Sequence, residues 1–261
     1  ALITGYSVAV LLATTIDHPR WRRALLWGIA VACACGVYLT HTRAVYLAFV
    51  LVVIMGALLA EGYRRAFVTT GVVLAIGVAL DWSTFTSADR AAGGVGSTNE
   101  LHDRLNSNIT AIWGFLAQPW SGWGLGRFVA LNTYHHQRWS DDIPWIRGLG
   151  ISSHFNELGI LAELGIVGLA LWLGVLFCVF RRLVKGVRTL PPDGLLGRRL
   201  ALTALMTMSA VVTIGFFIDL RMLDYLGTIE FVFAGAAVGA LDRFQNASNT
   251  QQYRRLPRLQ F

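Results

Sequence analysis

The sequence predicts an all-α polytopic membrane protein, with about seven transmembrane helices and one large extracytoplasmic loop that carries an interfacial helix. Three observations predict it. Of the 261 residues, 55% are hydrophobic and only 14% are charged, with a mean hydropathy of +0.54, a balance foreign to soluble domains. Apolar runs recur at about the 17–25 residues needed to cross a hydrocarbon core of roughly 30 Å. The basic residues are sorted between loops rather than scattered.

The runs fall at 1–16, 24–40, 44–60, 66–80, 156–180, 200–218 and 223–241. Ala1 already stands inside an apolar run with no basic region before it, so the chain is expected to be N-terminally truncated. Segments 17–23, 61–65, 181–199 and 242–261 hold fifteen of the 22 Lys and Arg residues. Arg43, Arg221 and five arginines in the long 81–155 loop make up the rest. Short basic loops stay cytoplasmic, which puts the N-terminus outside and the C-terminus inside. The whole of 1–261 then reads as a single membrane domain, with residues 81–155 inserted between spans four and five. The net charge of +7 follows from topology and calls for no nucleic-acid partner. The basic tail (Arg254, Arg255, Arg258) suits anionic lipid head groups.

Several classes are excluded. Cys33, Cys35 and Cys178 all lie in apolar runs, against a disulfide framework or a zinc site. Lys185, the single lysine, falls in a cytoplasmic loop and not mid-helix, so a retinal Schiff base has no anchor. The third span has no Asp-Arg-Tyr and the last no Asn-Pro-x-x-Tyr, against a G-protein-coupled receptor.

Within the long loop, Gly93, Gly94 and Gly96 break any apolar period, and the stretch up to Ser97 is expected to be flexible. Ser97 and Glu100 form a capping box. Leu101, Leu105, Ile109, Ile112 and Leu116 then predict a helix that stops at Gln118-Pro119. His102, Asp103, Arg104 and Asn106 to Asn108 occupy its other face. Such a helix is expected along the membrane surface, with Trp113 and Trp120 at head-group level. The Gly-Trp-Gly-Leu-Gly stretch at 122–126 follows no strand and opens no helix pattern, so it reads as a tight turn and not a dinucleotide loop. His102, His135 and His136, with Asp103, Asp141 and Asp142, lack the His-x-x-x-His spacing of a metal site. No metal and no cofactor is expected.

The chemistry-bearing residues gather where this loop enters the fifth span. A cap at Ser152 or Ser153 puts His154 in the first helical turn, where the partial positive charge keeps imidazole neutral. A neutral histidine at a water–lipid boundary suits a general base for a hydroxyl nucleophile; the alternative is an interfacial or capping side chain. Asn156 and Glu163 follow as supporting polar groups, Glu163 as a carboxylate hydrogen-bonded within the bundle. Arg43 is either a snorkelling arginine or a diphosphate ligand, since guanidinium grips phosphate in a bidentate fork. Arg104 and Arg127 complete a cationic pocket on the same face or remain solvated loop charges. Asp219, Arg221 and Asp224 form an outer-loop ion pair or line the same cavity.

Three motifs stand in a telling order. Thr40, Arg43 and Ala44 mark a helix turn. Arg104 leads a helix to Pro119-x-x-Gly122-x-Gly124-x-Gly126. His154, Asn156, Glu163, Gly165 and Gly168 then open the fifth span. Over about residues 35–180 the chain resembles the O-antigen ligase and O-antigen polymerase family of bacterial envelope enzymes. The resemblance implies a GT-C-like, metal-independent glycosyltransferase of the bacterial inner membrane, multi-pass, with its active site facing the periplasm or cell exterior. It implies transfer of a glycan from an undecaprenyl-diphosphate carrier to an acceptor hydroxyl on a lipid-A core, another glycan or a carrier-linked unit. His154 would activate the acceptor, and Arg43, Arg104 and Arg127 would hold the diphosphate. Family members carry more spans than seven; loss of N-terminal spans from an inside-start protein would leave this remainder starting outside. A transporter or flippase of a lipid-linked anionic substrate is the competing reading, and an inactive fragment a third.

Overall fold

The computed structural model describes residues 1–14, 19–87, 99–192, 196–220 and 224–255. Among them every regular element is an α-helix. In chain order these are α1 (Leu2–Ala13), α2 (Arg20–Tyr38), α3 (Arg43–Leu59), α4 (Arg64–Leu80), α5 (Trp82–Thr86), α6 (Asn99–Ala117), α7 (Phe128–Tyr134), α8 (Asn156–Thr189), α9 (Arg198–Gly215) and α10 (Asp224–Arg255). A helix stands at each of the seven apolar runs. By length and apolarity one described helix, α8, suffices on its own to cross a membrane; α1 and α3 are shorter apolar helices. The runs are imperfect guides to helix ends. α1 is shorter than its run, α8 continues to Thr189, and α10 extends well beyond residue 241.

The hub is α9. Nearly every position from Ala201 to Val211 is buried, Thr203 and Thr207 included, and it packs on α1, α3, α8 and α10. Thr207 Oγ1 donates to Thr4 Oγ1 of α1 at 3.1 Å, which satisfies hydroxyls that an apolar core would otherwise leave unpaired. Around the hub the contacts are close. A Cβ on Gly56 of α3 would lie 2.3 Å from the Phe67 ring of α4, so Gly56 is the gap that admits that ring. Tyr6 meets Phe49 edge-on at 4.8 Å, and its hydroxyl donates to Thr70 at 2.7 Å.

One end of the bundle is tied by charge. Arg198 at the start of α9 donates to Glu61 Oε2 at 2.9 Å and to the Leu59 carbonyl at 3.3 Å. Arg199 reaches the Tyr63 hydroxyl at 2.8 Å, and Arg182 pairs with Asp242. α3 and α9 are therefore antiparallel, and Arg43 stands at the opposite end, with the finish of α9 and the start of α8.

Over that opposite end lies the segment from α6 to Ile151. The buried face of α6 is its polar and small one (Asn106, Ser107, Thr110, Ala111, Gly114), while Leu101 and Leu116 are exposed. This polar stripe holds the following loop by its backbone. Asn106 Nδ2 donates to the Arg147 carbonyl at 2.9 Å, and its Oδ1 accepts from the Trp139 amide at 2.8 Å. Thr110 Oγ1 accepts from the Gln137 amide at 2.9 Å. Asn132 of α7 donates to the Gly148 and Ile151 carbonyls at 2.6 and 2.9 Å. A loop with few helical bonds of its own is thus ordered by borrowed partners. The expected cap at Ser97 and the glycine-rich stretch before it lie outside the described residues.

Candidate active site at the mouth of the bundle

His154 stands just before α8. The helix begins at Asn156, with Phe155 as its N-cap in extended geometry (φ −137°, ψ 110°). This corrects the expectation of a serine cap. Ser153 is buried and its hydroxyl is already engaged, donating to the Phe155 carbonyl at 2.8 Å and accepting from the Phe155 amide at 3.2 Å. His154 consequently lies outside the first turn, and its neutrality has another cause. Burial lowers its pKa first, and the Arg104 guanidinium lowers it further, against weaker opposing pulls from Asp103, Glu100 and Asp219. The ring is held as a free base at neutral pH.

The charged groups around it come from two places in the fold. Glu100, Asp103 and Arg104 belong to the first turns of α6, and Asp219 to the α9–α10 connection. Arg104 lies over the Phe217 ring at 5.9 Å, and Phe155 meets Phe216 edge-on at 5.3 Å. Asp103 faces Arg147 at 3.9 Å. Asn156, buried, sits where the end of α9 touches α8: a Cβ on Gly215 would be 3.5 Å from the Asn156 Cβ. His154, Arg104 and Asn156 are thereby brought into one corner.

Arg43 is at the same end of the bundle. It is exposed and follows a strained residue, since His41 adopts φ 45°, the one positive value on a described non-glycine residue. Such strain gathers at functional turns, yet no motif in the sequence singles His41 out. Arg43 is not among the groups that act on His154. Neither is Arg127, which is exposed, with its aliphatic stem 3.5 Å from where a Gly124 Cβ would lie. Arg221 and the Asp224 side chain lie outside the described residues.

Glu163 is the largest surprise. Its carboxylate leaves the bundle and accepts from two loop amides, Gly126 N to Oε2 at 2.8 Å and Phe128 N to Oε1 at 2.7 Å. The glycine-rich turn does cradle an anion, and the anion is this side chain. Gly122, Gly124 and Gly126 have φ of 62°, 100° and 75°, values that L side chains avoid. α8 is broken at the same place, with Gly165 at φ 65°, ψ −167°. The freed backbone groups meet the turn: Trp123 N donates to Ala162 O at 3.0 Å, Gly124 N to Glu163 O at 2.8 Å and Ile166 N to Pro119 O at 2.8 Å. The second and third motifs are the two halves of one joint.

Trp113, Trp123 and His135 stack beside it, with ring centroids 5.0–5.9 Å apart. Among the described residues no cluster of three or more His, Cys, Asp or Glu could hold a metal ion.

Among the described residues the fold is an all-helical bundle with an uncharged histidine and an arginine at its mouth. The O-antigen ligase family model matches residues 28–173, from α2 into α8. The chain belongs to the O-antigen ligase family, glycan-transferring enzymes of cell-surface polysaccharide biosynthesis that use a lipid-linked glycan and a glycan acceptor. A comparison with curated proteins finds no significant match.

Proposed function

We propose that the chain transfers a glycan from an undecaprenyl-diphosphate carrier to an acceptor hydroxyl at the outer face of the bacterial inner membrane. The carrying observation is the free-base imidazole of His154 beside the Arg104 guanidinium. In this reading His154 takes the proton of the acceptor hydroxyl as it attacks the anomeric carbon. The anomeric C–O bond breaks, and the electron pair leaves with the carrier diphosphate. Arg104, joined by Arg43 from the turn before α3, neutralises the charge that builds there; Arg127 serves as an outer contact. One preorganised donor of this kind is worth about 3 kcal/mol, and the base about 10²–10⁴-fold. Both roles are met by side chains alone, without a metal.

The same reading treats 1–261 as one membrane domain crossed seven times, with a GT-C-like plan and residues 81–155 outside. Its support is the outward display of large apolar side chains along α2, α3, α4 and α8, among them Ile29, Leu47, Ile54, Val72, Leu171 and Phe177. A monomeric protein in water rarely exposes so much. The inverted face of α6, apolar side outward, likewise suits a helix lying in the interface. A transporter would draw on the break in α8. The backbone groups freed there are bonded to the chain's own turn, which favours the transferase.

The test is transfer from undecaprenyl-diphosphate-linked oligosaccharide in membranes carrying each variant at matched levels. His154→Ala is expected to reduce transfer at least 100-fold. Normal transfer by that variant overturns the proposal.

A further inference from the structure

A cavity runs down the bundle from Asn156. Asn156, Ile160, Leu164, Trp172, Val211 and Phe231 are among its walls, and its volume is about 590 Å³, within the roughly 300–1,000 Å³ of ligand clefts. It is a groove between α8, α9 and α10 that opens at the surface of the bundle, where Leu171 and Val175 are exposed, and its lining is almost wholly apolar. Asn156, Thr228, Glu230 and Trp172 bring polar groups to that lining, and in the last two a polar atom is buried unpaired among the described residues. Glu230, 3% exposed, has its Oε1 buried with no hydrogen-bond partner among the described residues, and Trp172 Nε1 is in the same condition. Both residues line the cavity.

They also stand at one height. Arg182 of α8 pairs with Asp242 of α10, and the two helices run the same way. Glu230 precedes Asp242 by the twelve residues that separate position 170 from Arg182, so it is level with the Trp172 turn. A buried carboxyl at such depth is costly and kept for a reason, and an unpaired indole N–H adds to the cost.

We propose that this cavity seats the hydrocarbon chain of a lipid that bears a hydroxyl group part-way along it. The apolar wall takes the chain. The hydroxyl oxygen accepts a hydrogen bond from Trp172 Nε1, and its O–H donates one to Glu230 Oε1. An isoprenoid or plain alkyl chain would fill the space and leave both groups unpaired, so the pair distinguishes this occupant from the proposed carrier. The inference rests on the membrane placement proposed above and not on the chemistry at His154.

The experiment compares ricinoleate, hydroxylated at mid-chain, with its parent oleate for binding to the detergent-solubilised full chain. Ricinoleate is expected to bind about tenfold more tightly, as two neutral hydrogen bonds allow. Trp172→Phe and Glu230→Leu, both apolar replacements of similar size, are expected to bring the ratio below about twofold while oleate affinity holds. His154→Ala is expected to leave the tenfold ratio in place, which separates this site from the transfer reaction. Equal binding of the two fatty acids by the unaltered chain, water alone then meeting the pair, overturns the proposal. So does a preference that survives both substitutions.

Discussion

Two backbone amides converge on the Glu163 carboxylate, and each is a charge-assisted bond worth about 1.5–3 kcal/mol. Glu163→Ala leaves the Gly126 and Phe128 amides without an acceptor, and a loss of about 2–4 kcal/mol in unfolding free energy is expected. Glu163→Gln, which keeps one acceptor oxygen and turns an N–H towards the other amide, should lose about half as much; thermal unfolding in detergent measures both. A loss below about 0.5 kcal/mol for the alanine variant would show that the cradle is not structural. His154 carries a pH signature. Its pKa is lowered by burial first and Arg104 second, so the ring is uncharged throughout the neutral range and gains its proton only below the ordinary histidine value. The pH profile of kcat/KM should therefore be level near neutrality and fall on the acid side, below about pH 6.5. Arg104→Gln removes one cause of the lowering, so the acid limb should move to higher pH as the rate drops. An acid limb that stays fixed in that variant contradicts the pairing. Sequence alone singled out both residues but misjudged their surroundings. Nothing in a linear pattern pairs Glu163 with a turn some forty positions earlier, and a serine before a helix reads as a cap until its hydroxyl is seen to be engaged elsewhere.

α8 is two helices joined at a hinge that the turn at 119–128 fills. A Cβ at Gly165 would lie 2.3 Å from the Trp120 carbonyl, and one at Gly122 2.3 Å from the Glu163 carbonyl carbon. Gly174, on the continuous part of α8, has open space around it. Gly165→Ala is expected to cost at least about 3 kcal/mol, the sum of a left-handed backbone and a displaced turn. Gly174→Ala should be neutral or stabilise by up to about 1 kcal/mol. Parallel unfolding measurements on the two variants test this, and equal effects would remove the special role of Gly165. Hydropathy locates both halves of α8 but reads straight through the break, because a glycine in an apolar run has no signature of its φ. α6 tells a related story. Its period of three and four residues is plain in Leu101, Leu105, Ile109, Ile112 and Leu116. The period does not say which face turns inward, and here Asn106, Ser107 and Thr110 do. The familiar rule that the apolar stripe packs inward assumes water on the other side, and a helix at a lipid surface can reverse it.

For the molecule as a whole, the seven apolar runs and their polar connections were legible because every one is helical and each run is longer than a buried strand would be. The hub was not. α9 contains Thr203, Thr207, Met206 and Met208 and is less apolar than α3, yet it is the most enclosed helix. When lipid and protein interior are equally apolar, hydropathy cannot rank burial, and the small and hydroxylated residues that let helices approach become the better guide. The sorted charges carry the remaining information. Glu61, Arg182, Arg198 and Asp242 tie one end of the bundle, the end where the basic loops gather, and His154 lies at the other. Leu125, 71% exposed in the turn beside Glu163, and Leu196, 58% exposed ahead of α9, mark the two ends with side chains whose loss disturbs no packing. In a background where Cys33, Cys35 and Cys178 are replaced by serine or alanine, Leu125→Cys should react with a membrane-impermeant maleimide in intact cells whose outer barrier has been opened. Leu196→Cys should react only after the inner membrane is permeabilised. The reverse pattern would put His154 and Arg104 on the cytoplasmic face, where a carrier-linked glycan awaiting transfer outside could not reach them, and labelling of both sites from outside would mean that the bundle does not separate two compartments at all.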